Sequence, residues 1–350
     1  MIKPRLFNKV DRRVLLENLK KDQTPRTTLS FYQYAKIGNP QLFRDHFFLL
    51  LDQVETLGRV YVSYEGVNAQ VSVPSEKLED FRSKLSEITF LDGVRLNFAI
   101  EDDGKSFFKL AVKVRQKIVA DGLDDASFDV TNKGVHLSAI DFNKLTDDPN
   151  TIIVDMRNHY ESEVGYFKGA ITPDVETFRE ALPVVEKLLE DKKDANIVMY
   201  CTGGIRCEKA SAYYKHRGFK NVYQVEGGII EYARQAKSLG IENKFVGKNF
   251  VFDERLGESI SEEVIAKCHQ CGDLCDTHTN CANTYCHILF IQCPKCKAKY
   301  EACCSLKCKD FNLLPENERQ IKSIGMQFNG TRFGKGRYKA LTKDEKLELS

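Results

Sequence analysis

Long apolar runs are missing from this chain of 350 residues. No stretch of about 18 consecutive apolar residues occurs, which argues against a transmembrane helix. The opening residues, Met1 to Arg5, do not lead into an apolar segment of signal-peptide length. We therefore expect a soluble, cytoplasmic protein of two or three domains without a membrane partner, and the sequence indicates no particular protein partner.

A glycine fingerprint of the G-x-G-x-x-G kind is also absent, so the sequence offers no evident flavin or nicotinamide site. Cysteine, in contrast, is plentiful, with twelve residues. In a chain of this length without a secretion signal, these cysteines favour thiol or metal chemistry in a reducing compartment over a disulfide framework.

Acidic residues are scarce in two segments near the ends of the chain, although the net charge is only +2. Residues 1–26 hold eight Lys or Arg against three acids, and residues 319–343 hold seven and no acid. Such basic segments either contact nucleic acid or are simply solvated. Near the carboxyl end, aromatic and basic residues interleave, which suits either stacking on single-stranded bases or packing on the neighbouring module: Phe328, Arg332, Phe333, Lys335, Arg337, Tyr338 and Lys339.

Residues 1–125 predict a small α+β domain. Apolar residues recur at helical spacing in 40–57 and 75–85. Alternating apolar residues predict four strands, at 28–34, 60–64, 69–73 and 94–98. A turn at Glu65-Gly66-Val67-Asn68 joins the middle two strands. The resulting order, β-α-β-β-α-β, is the ferredoxin-like pattern.

A further strand is expected at 108–119, before a polar linker at 121–132. One face of this strand is apolar and the other carries four cations: Lys109, Lys113, Arg115 and Lys117. A solvated strand face and a contact with RNA explain this pattern equally well.

The most informative segment is the loop Cys201-Thr202-Gly203-Gly204-Ile205-Arg206, which follows the apolar run 197–200. Its glycines let backbone N–H groups point inward, and a helix starting near Cys207 presents its positive end. Arg206 adds a charge, so all three features favour a nucleophilic thiolate. A cysteine buried only as a small hydrophobe would leave the glycines and the arginine unexplained. The loop is one residue shorter than the usual phosphatase loop, which suits a smaller group such as a sulfane sulfur.

Strands alternate with helical patterns in residues 126–245, which predicts a second, α/β domain with a parallel sheet. The carboxyl ends of its strands bring together four residues: Asp155, Arg157, Cys201 and Gly227. This region resembles a rhodanese domain, through Asp155-Met156-Arg157, Gly165 to Ala170, the Cys201 loop and Glu226-Gly227-Gly228. The resemblance implies that Cys201 is catalytic and can carry a persulfide. Asp155 and Arg157 either support the loop or form a structural ion pair, and Cys207 is either a resolving thiol or packed inward.

Residues 246–350 form a cysteine-rich module with a basic tail. Ten cysteines lie between 268 and 308: Cys268, Cys271, Cys275, Cys281, Cys286, Cys293, Cys296, Cys303, Cys304 and Cys308. The pairs Cys268-x-x-Cys271 and Cys293-x-x-Cys296 have a spacing typical of zinc ribbons, so we predict a zinc site there. Disulfides, an iron–sulfur cluster or free thiols are the alternatives, and three histidines are possible substitute ligands: His269, His278 and His287.

The three-part order, taken to about residue 311, resembles the rhodanese-domain tRNA uridine hydroxylases. Shared features are Glu65-Gly66-Val67-Asn68, the Cys201 loop and the cysteines of 268–308. The resemblance implies 5-hydroxylation of the wobble uridine, position 34, with molecular oxygen as co-substrate. The first domain, the basic strand at 109–117 and the basic tail would then hold the anticodon stem-loop. The residues alone favour a sulfurtransferase working through a Cys201 persulfide, and a non-catalytic RNA-binding protein is a third alternative. One hypothesis is that Cys201, as thiolate or persulfide, adds to C6 of the uracil and activates C5.

Overall fold

The first domain is built on a five-stranded sheet. The computed structural model describes residues 6, 10–330 and 337–338. In this part of the chain the elements are α1 (Arg12–Lys21), β1 (Arg26–Tyr34), α2 (Pro40–Gln53), β2 (Leu57–Ser63), β3 (Gly66–Pro74), α3 (Leu78–Ser86), β4 (Asn97–Phe98) and β5 (Leu110–Val114). The sheet order is β4-β1-β3-β2-β5, in which only β5 runs parallel to its neighbour. This confirms the ferredoxin-like pattern, with β5 added at the β2 edge.

Four local expectations in this domain are wrong. The strands expected at 94–98 and 108–119 are shorter, Asn97–Phe98 and Leu110–Val114. The helix expected at 40–57 ends at Gln53, because Glu55 takes a left-handed conformation with φ of 53° before β2 begins. The turn expected over Glu65 to Asn68 is tighter, because Gly66 already belongs to β3 and pairs with Tyr34 of β1. A Cβ on Gly66 would lie 2.0 Å from the carbonyl oxygen of Gln33, so only glycine lets the two strands approach here.

The second domain contains the expected parallel sheet. Its elements are β6 (Val135–Leu137), α4 (Ala139–Thr146), β7 (Thr151–Asp155), α5 (His159–Ser162), β8 (Gly165–Phe167), α6 (Phe178–Leu188), β9 (Asn196–Tyr200), α7 (Ile205–His216), β10 (Asn221–Val225) and α8 (Gly228–Leu239). Strands β6, β10, β9 and β7 form the sheet in that order, and all their pairings are parallel. Both faces are covered by apolar clusters, so the inner strands β9 and β10 and the neighbouring β7 are largely buried, whereas the edge strand β6 is exposed at Val135.

The carboxyl-terminal module has little regular structure. It contains β11 (Phe245–Asn249), β12 (Glu258–Ser259), β13 (His278–Asn280), β14 (Leu289–Ile291), α9 (Pro294–Lys299), α10 (Leu306–Leu313) and α11 (Glu316–Lys322). Strand β11 pairs with β8 of the second domain, so Gly165 to Phe167, expected as a turn, is a strand that joins the two units. Cysteines make up a large share of the two small apolar clusters of the module.

Part of the basic tail can be located. Arg337 forms an ion pair with Asp174 at 2.8 Å, and the Tyr338 ring stacks on Phe290 with centroids 5.6 Å apart. For these two residues, packing on the protein is therefore the observed arrangement. Arg332, Phe333, Lys335 and Lys339 lie outside the described residues. Among the helices that the structure describes, none has the length and apolar character needed to cross a membrane.

The first two domains are held together around a buried lysine. Lys209 of α7 binds Glu65 at 2.7 Å and Asp125 at 2.5 Å. Asp125 also binds Lys117, so the predicted linker at 121–132 is tied down at this point rather than loosely solvated. The Tyr32 hydroxyl adds a hydrogen bond of 3.1 Å to the Glu208 carboxylate across the same interface. These contacts hold the sheet of the first domain against α7, the helix that follows Cys201.

Candidate active site

Cys201 directly follows β9, where the chain turns into α7. The Gly204 N–H donates a hydrogen bond of 3.1 Å to the Cys201 sulfur, and Gly204 has a left-handed φ of 95°. The Cys201 carbonyl oxygen accepts from the Ile229 N–H at 3.0 Å, which fastens the loop to the start of α8. There, Gly228 is required, because a Cβ would lie 2.4 Å from that carbonyl oxygen. The loop is therefore held rigidly by backbone contacts from two helices.

The surroundings of Cys201 favour the thiolate form of its side chain. Burial raises the pKa, but a hydrogen bond from the Cys207 thiol, the Arg206 charge and backbone N–H groups outweigh it. The result is a pKa lowered from 9.0 to about 6. Burial and the same hydrogen bond raise the pKa of Cys207 well above its ordinary value, so Cys207 stays protonated as the donor. Cys207 is thus packed inward and also contacts Cys201.

This arrangement predicts the pH dependence of Cys201 reactivity. Because only the thiolate is nucleophilic, alkylation by iodoacetamide should rise with pH and be half-maximal near pH 6, where the pKa is about 6. Replacing Cys207 with alanine removes one donor, so the midpoint should move to higher pH. Peptide-resolved mass spectrometry of alkylated full-length protein measures both midpoints. Identical midpoints in the two proteins would contradict the role given to Cys207.

Arg206 has an acidic partner on α5. Its guanidinium forms two hydrogen bonds, of 2.7 and 2.8 Å, with the carboxylate of Glu161 on α5. Glu161 is fully buried, and the Arg206 charge contributes to holding its pKa below the ordinary value. Arg206 also contacts the Thr202 hydroxyl at 3.3 Å. The arginine therefore lowers the pKa of Cys201 through its field, while its donors are largely taken by Glu161.

Glu161 was not identified from the sequence. The available signal was the pattern Asn158-x-x-Glu161, a capping box that starts the short helix α5. In the structure the Glu161 side chain accepts from the Asn158 N–H at 3.1 Å and also holds Arg206. One carboxylate thus links the end of β7 to the Cys201 loop.

Asp155 and Arg157 form a fully buried ion pair, with a shortest distance of 2.6 Å. Arg157 also donates to the Gly165 carbonyl oxygen at 2.6 Å, and its guanidinium lies 5.5 Å from the centre of the Tyr200 ring. The pair therefore connects β7, β8 and the residue before Cys201. This geometry matches the structural alternative, and a supporting role for the loop stays a prediction.

A cavity of about 400 Å³ opens in front of Cys201 and is lined by all three parts of the chain. The loop contributes Cys201, Thr202, Gly203, Ile205 and Arg206. The sheet of the first domain contributes polar and aromatic side chains, among them Ser30, Arg59, Tyr61 and Asn97. The segment after β11 adds Phe252 and Arg255. A buried nucleophile thus faces a mixed polar and aromatic pocket, which suits a planar polar ligand.

A basic patch adjoins this cavity. It consists of Arg59, Lys109, Lys113 and Arg115, all exposed on β2, β5 or their ends. Partial burial and the three neighbouring cations lower the pKa of Lys113. Arg59 lines the cavity, and the Arg115 guanidinium lies 5.4 Å from the centre of the Tyr61 ring, which also lines it. Lys117, expected on the same face, instead pairs with Asp121 at 2.7 Å.

The structure brings the two C-x-x-C pairs together. The sulfur atoms of Cys268, Cys271, Cys293 and Cys296 all lie within 4.8 Å of one another and could hold a metal ion. Two of the three histidines have other partners, since His269 binds Glu163 at 2.8 Å and His278 packs on Phe250. All twelve cysteines, each within the described part of the chain, are free of disulfide bonds.

Comparisons with known proteins cover nearly all of the chain. Three family models match: a UPF0176 acylphosphatase like domain at 26–118, a rhodanese-like domain at 138–235 and a rhodanase C-terminal region at 246–309. A protein of Pectobacterium carotovorum named tRNA uridine(34) hydroxylase is 56% identical over 322 residues, 91% of each chain. A protein of Salmonella typhimurium with the same name is 52% identical over 337 residues, 95% of this chain and 96% of that one.

Among solved structures, the rhodanese-like domain of an Anabaena protein matches 32% of this chain and 78% of its own, at 19% identity and a TM-score of 0.27.

Proposed function

The chain belongs to the tRNA uridine(34) hydroxylase family, and on that premise we propose that it hydroxylates C5 of uridine 34 in tRNA with molecular oxygen. The observation that carries this proposal is the cavity in front of Cys201. In this cavity Cys201, whose pKa is lowered to about 6, faces polar and aromatic side chains. The basic patch lies beside the cavity. A plain sulfurtransferase has no use for a pocket wall supplied by two additional domains.

The wobble uridine suits this pocket because it is unpaired in the anticodon loop. Extruding such a base costs about a few kcal/mol or less, since no base pair is broken. Tyr61 offers a ring for stacking, while Asn97 and Ser30 face Gly203 of the Cys201 loop and offer hydrogen bonds to the uracil edge. The basic patch would then hold the phosphates of the anticodon stem-loop outside the cavity.

We propose that Cys201 acts as the covalent nucleophile. Its thiolate adds to C6 of the uracil, which makes C5 an enolate carbon able to attack an oxygen species formed from O2. Loss of the C5 proton and departure of the thiolate restore the ring. One oxygen atom of O2 ends on C5, and the other leaves as water after uptake of two protons and two electrons from an external reductant.

The four-thiolate group at Cys268, Cys271, Cys293 and Cys296 fits zinc, because all its ligands are sulfur atoms that converge on one point. Four protein ligands leave no coordination position open for a substrate, so the metal would have a structural role and would stabilise the module. His269, which follows the first of these cysteines, binds Glu163 beside α5. We infer that this zinc site fixes the module against the helix that carries Glu161.

The basic patch predicts a steep salt dependence of tRNA binding. Replacing Lys113 with glutamine should weaken binding and reduce the slope of log affinity against log salt by about one, because one phosphate contact is lost. Filter binding or fluorescence anisotropy with an anticodon stem-loop measures this slope. Lys220→Gln is the matched control, since Lys220 is exposed but pairs with Asp194 at 2.6 Å. An equal change in both variants would argue against the patch.

Nucleoside mass spectrometry of tRNA tests the function itself. In cells that lack the gene, derivatives of 5-hydroxyuridine should disappear, and the wild-type gene should restore them. An unchanged profile, with thiocyanate formation from thiosulfate and cyanide by the purified protein, would instead favour the sulfurtransferase.

A further inference from the structure

We propose that Cys281, Cys286, Cys304 and Cys308 bind a second zinc ion, so that the carboxyl-terminal module holds two interleaved four-thiolate sites. The sulfur atoms of these four residues lie within 4.8 Å of one another, and all four side chains are buried. None of the four belongs to the group formed by the C-x-x-C pairs. This inference concerns the module alone and does not depend on the hydroxylase reaction.

The distances suit one tetrahedral ion. Sulfur ligands at about 2.3 Å from a tetrahedral zinc lie about 3.8 Å from one another. The Cys286 and Cys304 sulfur atoms are 3.7 Å apart, and those of Cys304 and Cys308 are 3.6 Å apart. These separations are too long for disulfide bonds. An iron–sulfur cube would have to fit between the thiolates and would hold them further apart than a single ion does.

Hydrogen-bond donors surround these sulfur atoms. The Cys304 N–H donates to the Cys281 sulfur at 3.4 Å, and the Asn283 amide donates to the Cys308 sulfur at 3.4 Å. The Asn329 amide reaches the Cys304 sulfur at 3.5 Å. Donors of this kind orient metal-bound thiolates and reduce their charge. They also tie residue 329 to the site, so a bound metal would anchor the chain just before its basic tail.

The two sites occupy opposite ends of one hairpin. Strands β13 and β14 have three residues each and pair antiparallel. Cys281 and Cys286 lie in the connection between the strands, whereas Cys293 follows β14 at the open end. Along the chain the ligand pairs alternate between the sites, so neither site closes without the segment that holds the other. A hairpin this short is not stable alone, and two metal ions supply the missing stabilisation.

Zinc stoichiometry of the purified full-length protein tests the proposal. We expect two zinc ions per wild-type chain, released by denaturation and quantified by elemental analysis. Cys304→Ser should lower the value to one or none. Cys275→Ser should retain two, because Cys275 is also buried but lies outside both groups, and its sulfur accepts a hydrogen bond from the Thr277 N–H. One zinc per wild-type chain, bound iron, or loss of zinc in the Cys275→Ser protein would overturn the assignment.

Cobalt titration of the full-length wild-type protein, after its zinc has been removed by a chelator under reducing conditions, keeps the test independent of whether the variants fold. Tetrahedral thiolate sites give an intense sulfur-to-cobalt charge-transfer absorption, which should increase until two equivalents of Co²⁺ are bound. Saturation at one equivalent would contradict a second site. Displacement by two equivalents of Zn²⁺ would support it.

Discussion

Replacing Cys201 with serine is expected to reduce the rate of uridine hydroxylation on the order of 10⁴-fold or more, since loss of a covalent nucleophile leaves only binding and positioning. The serine hydroxyl has nearly the same shape, but at neutral pH it stays protonated where the pKa of the thiol is about 6. In cells lacking the gene, the Cys201→Ser protein should leave 5-hydroxyuridine derivatives at background.

Cys207→Ala is the matched control for that experiment. Cys207 is as deeply buried as Cys201 and donates a hydrogen bond to its sulfur, but it does not line the cavity. This variant should restore the modification, with reduced activity only at lower pH. Affinity of both variants for the anticodon stem-loop should match the wild type. Full hydroxylation by the Cys201→Ser protein would exclude covalent catalysis while leaving the family's reaction intact.

Glu161→Gln is expected to destabilise the second domain by about 3–5 kcal/mol, because it leaves the buried Arg206 charge without a counter-ion. The pair joins α5 to the Cys201 loop through two hydrogen bonds of 2.7 and 2.8 Å. Urea unfolding followed by far-ultraviolet circular dichroism measures the change, since the chain has no tryptophan to report on unfolding. Loss of the pair should also loosen the loop and lower activity.

Glu163→Gln is the matched control for stability. Glu163 lies two residues further on and pairs with His269, but its side chain is 36% exposed. Partly exposed pairs contribute about 0–1 kcal/mol, so this variant should unfold near the wild-type midpoint. An equal loss in the free energy of unfolding for both variants would mean that the buried Glu161 and Arg206 pair stabilises the domain no more than the partly exposed pair does.

The Cys201 loop and its setting could be predicted from the sequence because the relevant interactions are local. An apolar strand, two glycines and a following helix determine the path of the backbone over a few residues. The Gly204 N–H and the Cys207 thiol that stabilise the thiolate lie within six residues of Cys201. The alternation of strands and helices likewise predicted the parallel sheet of the second domain.

The partner of Arg206 and the composition of the cavity depend on long-range packing. The sequence predicted a charge at Arg206 but not its partner Glu161, which lies 45 residues away in sequence and takes its donors. The cavity wall requires the first domain to dock against α7, which Lys209 achieves through Glu65 and Asp125. Charge patterns along one segment do not reveal such distant partners. Lys117 is a different case, because its partner Asp121 lies only four residues away and the local fold of 117–125 turns the side chain toward it.

The two cysteine groups also differ in whether the sequence alone could predict them. Spacing alone predicted the group of Cys268, Cys271, Cys293 and Cys296, because two C-x-x-C pairs are a local signature. Cys281 and Cys286 are separated by four residues, and Cys304 and Cys308 by three, so neither pair carries that signature. The sequence by itself therefore determined the nucleophile, the parallel sheet and one metal-ligand pattern, all of which depend on near neighbours. Only the tertiary structure decided the second cysteine group, the Glu161 pair and the cavity, because each is assembled from segments distant in sequence that packing brings together.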